Sequence, residues 1–477
     1  MLFYIAEGHD FLYEVQTTIQ IFYQNESYKH VLSVQNEGIT IVSRLADGLC
    51  YSQIYIDGIK IHERFQEIAL NETLSVKRSV FFLLQEVHGI SVPWGIMTGI
   101  RPAKKIRRLM EIHTVAEIEN ILRNDYLLRE DKISLLVQVA QKEFERLKHN
   151  DRSKISLYVG IPFCPTKCLY CSFTSYPIQK HANIVESYLR ALYKELEYVG
   201  SLNYDIENIY IGGGTPTSLN SVQLEGLLSK MDAVLKKPSE FTVECGRPDT
   251  LDIDKLKILK DYGVTRISIN PQTLNQKTLD TIGRGHSSDD IFKAFELARE
   301  AGHNNINADI IVGLPGETVA DVAYTLGKLK LLDPENITVH TLAIKRGSAL
   351  KDYMSDYNFS KFEEIESMLT LTEKHAKDVN MTPYYMYRQK NMLGNFENIA
   401  YSKPGYECMY NVQIMEEDQN IIAVGAGAVT KVINFETDKI CRVFNHKSVE
   451  HYIDGIDNLI ERKRELNNTN FLPIMGQ

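Results

Sequence analysis

Leu157-Tyr158-Val159-Gly160-Ile161-Pro162-Phe163 leads directly into Cys164, and Cys168 and Cys171 follow within the next seven residues. A short apolar run of this kind reads as a buried strand, so the cysteines occupy the loop at its carboxyl end. Three of the chain's seven cysteines thus share eight positions. A C-x3-C-x2-C loop wraps three thiolates around one soft centre, and the lack of a fourth protein sulfur suits a [4Fe–4S] cluster with one iron open to another ligand. A tetrahedral zinc site wants a fourth Cys or His close by, whereas the nearest imidazole, His181, lies ten residues on and inside a helical pattern. Disulfide pairing fits worse, because the local count is odd and Cys50, Cys245, Cys408 and Cys441 are scattered. With no apolar signal segment at Met1, the expected compartment is the reducing cytoplasm.

From Ile155 onward, short β-branched runs alternate with helical segments, the rhythm of a βα repeat. Strands are expected at Ser156 to Ile161, Asn208 to Ile211, Phe241 to Cys245, Arg266 to Asn270, Ile306 to Val312 and Ile337 to Leu342. Helices are expected near Ile184 to Val199, Val222 to Leu235, Ile253 to Tyr262, Ile291 to Ala301, Ala320 to Leu331 and Phe362 to Val379. Six units are too few for a closed eight-stranded barrel. An open parallel barrel or a doubly wound sheet remains, and in both the chemistry sits beyond the carboxyl ends of the strands.

Residues 1–150 read as a small α+β domain. Its β-rich stretches are Leu12 to Phe22, Ile39 to Leu45 and Cys50 to Ile56, followed by helices at Ser79 to His88, Ala103 to Met110, Val115 to Leu122 and Lys132 to Leu147. Between them Pro93 to Pro102, with the single Trp94, reads as a loop, and His149 to Lys154 as a linker. The α/β unit then spans 151–380. Residues 381–477 lose the alternation, are rich in aromatic and β-forming residues, and end in a helix around Val449 to Arg464, which suggests a small β-rich cover for an open barrel mouth.

Composition narrows the partners. A chain of 477 residues with 44% hydrophobic and 24% charged residues is an ordinary globular protein of more than one domain. Its 62 acidic against 53 basic residues give a formal charge of −9, which offers no general field for a phosphate backbone, so no nucleic-acid partner is expected. Lys104-Lys105-Ile106-Arg107-Arg108 has the spacing of a solvated helix face. No run is long enough to span a bilayer, so no membrane partner is expected either.

The strand ends carry the remaining signals. The second strand ends in Gly212-Gly213-Gly214-Thr215-Pro216-Thr217. No Gly-Lys-Ser/Thr follows, which removes the basis of a Walker phosphate loop; three glycines instead let backbone groups approach an amino-acid moiety closely. Glu244 ends the third strand, Asn270 and Gln272 lie at the fourth, and Asp309 precedes Gly313-Leu314-Pro315-Gly316 on the fifth. Polar residues at successive strand ends point to one shared mouth, since charge amid apolar strands is costly without a partner. Arg284, in Ile282-Gly283-Arg284-Gly285-His286, suits either a carboxylate ligand or a structural ion pair.

Together these residues resemble the radical S-adenosylmethionine superfamily. The cysteine loop with its Tyr158-to-Phe163 lead, the glycine run, Glu244, Gln272, Arg284 and Asp309 resemble the oxygen-independent coproporphyrinogen III dehydrogenase family. The Trp94-Gly95-Ile96-Met97-Thr98-Gly99-Ile100-Arg101-Pro102 loop and the Tyr387-Arg388-Gln389-Lys390-Asn391 segment are most similar to its HemZ branch. The resemblance implies a partial (β/α)6 barrel carrying a [4Fe–4S] cluster on Cys164, Cys168 and Cys171. It implies one S-adenosylmethionine at Tyr158, Gly213 and Glu244, and a second at Tyr170, Gly214, Thr215, Gln272, Arg284, Asp309, Ala343 and Val429. The implied reaction is oxidative decarboxylation of coproporphyrinogen III propionates to the vinyl groups of protoporphyrinogen IX. An electron donor such as flavodoxin or ferredoxin would supply it, and Arg284, Arg388 and Lys390 are the candidate partners of the propionates. The best-known dehydrogenases carry a histidine where this chain has Gly160 and a fourth cysteine where it has Phe173. Haem chaperones of the same family also lack that cysteine, which keeps a haem-carrying role as the alternative, with a radical enzyme acting on tRNA as the third.

Overall fold

Parallel strands covered by helices need apolar residues on the covered side and tolerate polar ones in a lumen. The structure, a computed structural model describing residues 1–24, 26–69, 71–345, 347–389, 392 and 395–467, follows that rule from Ile155 onward. By its contacts the chain divides into two units, Met1–Gln141 with Arg388–Asn391, and Lys142–Tyr387 with Met392–Gln477.

The first unit contains β1 (Leu2–Glu7), α1 (Leu12–Phe22), β2 (Tyr28–His30), β3 (Ile39–Ala46), β4 (Leu49–Ile56), β5 (Ile59–Glu67), α2 (Glu72–His88), α3 (Pro102–Leu109), α4 (Val115–Asn124) and most of α5 (Glu130–Leu147). The sheet runs β2-β1-β3-β4-β5. Val15 and Ile19 of α1 and Val76, Val80 and Leu83 of α2 join Leu2, Tyr4, Ile41 and Ile54 in one core. The stretch Leu12 to Phe22, expected as a strand, is therefore a helix. Its β-branched residues favour a strand locally, but Val15, Ile19 and Phe22 recur at helical spacing, and packing against the sheet overrides propensity. The Pro93 to Pro102 loop is fastened by Arg388, which is buried, donates to the Met97 carbonyl and lies 5.1 Å from the Trp94 ring centroid.

The second unit contains β6 (Ile155–Ile161), β7 (Phe163–Cys164), β8 (Tyr176–Pro177), α6 (Ala182–Ser201), β9 (Ile206–Gly213), α7 (Ser221–Val234), β10 (Glu240–Glu244), α8 (Ile253–Asp261) and β11 (Arg266–Ser268). It continues through α9 (Gln276–Thr281), α10 (Ser288–Glu300), β12 (Ile306–Val312), α11 (Val319–Leu332), β13 (Asn336–Thr341) and α12 (Phe362–Asp378). The six expected strands pair in parallel in chain order, β6-β9-β10-β11-β12-β13. A doubly wound sheet would reverse that order at a switch point, so the architecture is the singly wound α/β open barrel.

The last elements are β14 (Thr382–Tyr387), β15 (Asn398–Ser402), α13 (Met409–Glu416), β16 (Asn420–Val424), β17 (Val429–Asn434), β18 (Lys439–Phe444), α14 (Val449–Asp454) and α15 (Ile456–Asn467). Their strands extend the same sheet at both edges, β14-β15 beyond β13 and β16-β17-β18 beyond β6. β16 lies parallel to β6, pairing Ala423 with Tyr158. Among the described residues no helix is long and apolar enough to cross a membrane.

A buried carboxylate ties these late elements to the barrel. Glu195 on α6 is fully buried and accepts from the Gly425 N–H at 2.8 Å, the Asn445 amide at 2.8 Å, the Tyr452 hydroxyl and the Lys463 ammonium of α15. Lys463→Met leaves that carboxylate without its cation and should lower stability in urea unfolding by about 3 kcal/mol, the usual cost of an uncompensated buried charge. Adding Glu195→Gln should restore most of the loss. A single variant as stable as the parent would show that the ion pair contributes nothing.

Candidate functional site at the strand carboxyl ends

Side chains alternate across a strand, and in this barrel the two faces differ in chemistry. Leu157, Val159, Ile209, Ile211, Val243 and Ile267 are buried on one side. Tyr158, Tyr210, Glu244 and Asp309 share the other. Tyr158 opposes Tyr210 in the β6–β9 ladder with ring centroids 6.3 Å apart, and Tyr410 of α13 stacks on Tyr210 at 4.6 Å. The Tyr210 hydroxyl donates to Glu244 Oε1 at 2.7 Å. Asp309 accepts from the Asn307 amide at 2.7 Å and faces His340 Nε2 at 3.7 Å.

The glycine run brings β9 against the cysteine loop. Gly214 N–H donates to the Ile161 carbonyl and Thr215 N–H to the Phe163 carbonyl, both at 2.7 Å. A methyl group on Gly214 would lie 2.5 Å from the backbone oxygen of Phe163, so that position admits no side chain, and one on Gly212 would lie 2.9 Å from the Glu244 carboxyl, which would have to move aside. Gly213 has φ +110°, a conformation other residues rarely adopt, and sits beside the Tyr158 hydroxyl.

The three cysteines lie in the loop that begins at β7 and take part in no disulfide. Cys164 Sγ lies 3.5 Å from Thr215 Oγ1, and the Cys171 N–H donates to the Cys168 carbonyl at 3.1 Å. Burial pushes the Cys164 thiol up to about 11, with Thr215 and Arg247 pulling the other way. Among the described residues no three His, Cys, Asp or Glu side chains gather closely enough to hold a single metal ion. A cuboidal cluster binds each thiolate through a different iron, so a three-thiol loop beside N–H and O–H donors is a donor set that fits it.

The carboxylates are set apart by environment. Burial raises the Glu244 carboxyl to about 7, against the opposing hydrogen bond from Tyr210 and with Asp309 adding to the rise. Burial also acts on Asp309, but the hydrogen bond and charge of His340, with hydrogen bonds from Asn307 and Thr338, outweigh it and hold that carboxyl below its ordinary value.

Of the other expected residues, Gln272, Tyr170 and Arg284 are tied to the same strand ends. Gln272, at φ +64°, continues the β11 edge by pairing its N–H with the Asp309 carbonyl at 2.9 Å. Arg284 is buried, donating to the Tyr170 hydroxyl at 3.4 Å, the Gly246 carbonyl at 2.9 Å and the Asn270 carbonyl. Ala343 follows β13 and bridges Met392, while Val429 opens β17, separated from β6 by β16. Neither carries a polar side chain, so only their backbone can hydrogen-bond to a ligand. Arg388 is engaged within the first unit, unlike its expected part in propionate binding, and Lys390 lies outside the described residues. Reading the sequence missed Tyr210, Tyr410, His340 and Arg247. Strand parity with Tyr158 and Asp309 flags Tyr210 and His340; Tyr410 comes from a distant segment, and Arg247, three residues beyond Glu244, is marked only by its contact with Cys168, 79 residues away.

This geometry agrees with what the chain is similar to. A model of the radical SAM superfamily matches residues 158–329. The oxygen-independent coproporphyrinogen-III oxidase-like protein HemZ of Bacillus subtilis (strain 168) is 40% identical over 391 residues, 80% of this chain and 78% of that protein. The chain belongs to this HemZ-like family of radical SAM proteins. Its relatives include the heme chaperone HemW of the same organism, 34% identical over 314 residues, 63% of this chain and 76% of the relative. The solved structure of the coproporphyrinogen III oxidase HemN from Escherichia coli, a radical SAM enzyme, superposes with TM-score 0.53 at 22% identity over 67% of this chain and 72% of that one, a likeness of fold. The radical SAM superfamily uses a [4Fe–4S] cluster and S-adenosylmethionine, and the thiol loop and glycine cradle suit both.

Glu244 makes the site's charge visible in stability. Its folded value near 7 lies above the ordinary 4.5, so between them the folded chain keeps a proton that the unfolded chain has lost, and stability falls as pH rises across that window. Glu244→Gln removes this dependence. Relative to the parent, the variant should gain about 2 kcal/mol between pH 4 and pH 8, a figure discounted for the side chain's partial exposure. Parallel stability curves in urea unfolding would refute the raised value.

Proposed function

We propose that this chain is a radical SAM oxidoreductase that decarboxylates the propionate side chains of coproporphyrinogen III to vinyl groups, giving protoporphyrinogen IX. Cys164, Cys168 and Cys171 hold the cluster. Tyr158, Gly213 and Glu244 receive one S-adenosylmethionine, and Tyr170, Gly214, Thr215, Gln272, Arg284, Asp309, Ala343 and Val429 receive a second. When bound, the cluster and S-adenosylmethionine supply a one-electron reductant and a 5′-deoxyadenosyl radical, the electron coming from a donor such as flavodoxin or ferredoxin.

The chain's own residues bind and orient. Glu244, oriented by Tyr210, accepts hydrogen bonds from the cofactor, and the side-chain-free glycines let it approach the backbone. Arg284, held by two carbonyls, presents a rigid guanidinium to a carboxylate. The stacked tyrosines Tyr158, Tyr210 and Tyr410 keep water from the lumen floor. The observation that carries the reading is the convergence of Tyr158, Glu244 and the glycine run beside the thiol loop, in a chain 40% identical to a coproporphyrinogen oxidase-like protein.

A second reading, haem carriage, is favoured by the similarity to HemW and by Phe173 standing where better-known dehydrogenases have a thiol. Anaerobic incubation of the reconstituted protein with S-adenosylmethionine, reductant and coproporphyrinogen III separates them. Vinyl-bearing product together with 5′-deoxyadenosine is expected. Cofactor cleavage without decarboxylation, combined with stoichiometric haem binding and transfer, would move the assignment to the chaperone.

The cluster ligands are tested independently of substrate. Cys168→Ser protein prepared anaerobically should lose its iron and acid-labile sulfide, while Cys408→Ser and Cys441→Ser should retain both. Full cluster content in the Cys168 variant would refute the assignment.

A further inference from the structure

Arg247 is buried, 3% exposed, in the loop that follows β10, three residues beyond Glu244. Two nitrogens of its guanidinium, Nε and Nη2, form a fork with the Asp249 carboxylate, each bond 2.8 Å long. The third, Nη1, turns the other way and donates to Thr166 Oγ1 at 3.0 Å and to Cys168 Sγ at 3.8 Å. All three nitrogens are thereby engaged within the protein. Arg284 differs, because its Nε has no hydrogen-bond partner in the structure.

Arg247 is the cation whose N–H reaches Cys168 Sγ, whereas Arg284 reaches the Tyr170 hydroxyl. His286 is 5% exposed with neither ring nitrogen hydrogen-bonded, and burial together with Arg284 and Arg247 pushes it down to about 3, so it stays neutral. Lys167 and Lys345 act on Cys171 instead. A planar guanidinium fixed by a carboxylate behind it is a rigid donor, and hydrogen bonds and charge at the ligating sulfurs are what set the potential of an iron–sulfur centre.

We infer that the Asp249–Arg247 pair is a positioning and tuning device for the cluster: Asp249 aims the guanidinium, and its N–H and charge at Cys168 raise the cluster's reduction potential. This rests on the assignment of the cluster to Cys164, Cys168 and Cys171. Reduction adds one electron to the cluster and no proton, so the added negative charge is stabilised by the cation beside the Cys168 thiolate. Asp249 opposes it from behind the guanidinium. Removing the cation must therefore lower the potential, and removing the carboxylate charge must raise it.

The test is an EPR-monitored dithionite titration of the anaerobically reconstituted full-length protein, with iron and sulfide measured on each sample. Cluster content in the parent tests the ligand assignment, and the potentials test the inference. Arg247→Met should keep its cluster and be about tenfold harder to reduce, a fall of about 59 mV for a one-electron couple. Asp249→Asn, which keeps an acceptor oxygen to hold the guanidinium in place and removes only the charge, should shift upward, and Arg247→Lys should fall between Met and the parent. An unchanged potential in a fully loaded Arg247→Met protein, or a fall in both Met and Asn variants, would overturn the inference. Should Arg247→Met lose its iron, Asp249→Asn decides alone: an upward shift supports the device, and no shift or a fall overturns it.

Discussion

The close approach of two backbones at the ends of β6 and β9 is the constraint on which the site depends. Ile161 and Phe163 lead into the cysteine loop, and their carbonyls accept from the Gly214 and Thr215 N–H groups. Any Cβ at Gly214 would sit 2.5 Å from the Phe163 oxygen. Three consecutive glycines therefore do more than turn a corner. They let the cysteine loop be hydrogen-bonded directly to the second strand end, place Thr215 against Cys164, and leave Glu244 the space beside Gly212.

From this anchor the mouth is built one strand at a time. The parallel strands spend their covered faces on apolar burial, and their lumen faces carry polar groups bonded to the next strand: Asn208 to Ser156, Tyr210 to Glu244, Asn307 to Ser268, Thr338 to Asn307. The same lumen gives the two carboxylates opposite characters, because Glu244 is desolvated beside another acid whereas Asp309 has His340, Asn307 and Thr338 around it. A proton-holding and a charged carboxylate thus face one mouth.

Much of the barrel was legible because the rule that builds it is local. Parallel strands buried under helices leave continuous apolar runs, and the expected Ile306 to Val312 coincides with β12. The cysteine loop and strand-end residues were legible for the same reason, being set by position in the repeat. What escaped reading depends on distant segments. Leu12 to Phe22 has the residues of a strand but packs as a helix once β1 and β3 lie beneath it. The exposed edge strand β5 alternates with charge, as edges do, and gave little signal. Residues after 381 looked like a separate cover, yet β16 adds to β6 across more than 260 residues of chain, a pairing no local pattern announces. Arg247 meets Cys168 across 79 residues.

The central claim is that three protein thiolates hold a four-iron cluster whose remaining iron is reserved for S-adenosylmethionine. Mössbauer spectroscopy of protein reconstituted with iron-57, with and without S-adenosylmethionine, tests it most directly. Addition of the cofactor should change the signal of one iron in four and leave the other three as they were. Identical spectra in the two states, or iron held without a four-iron signature, would contradict it.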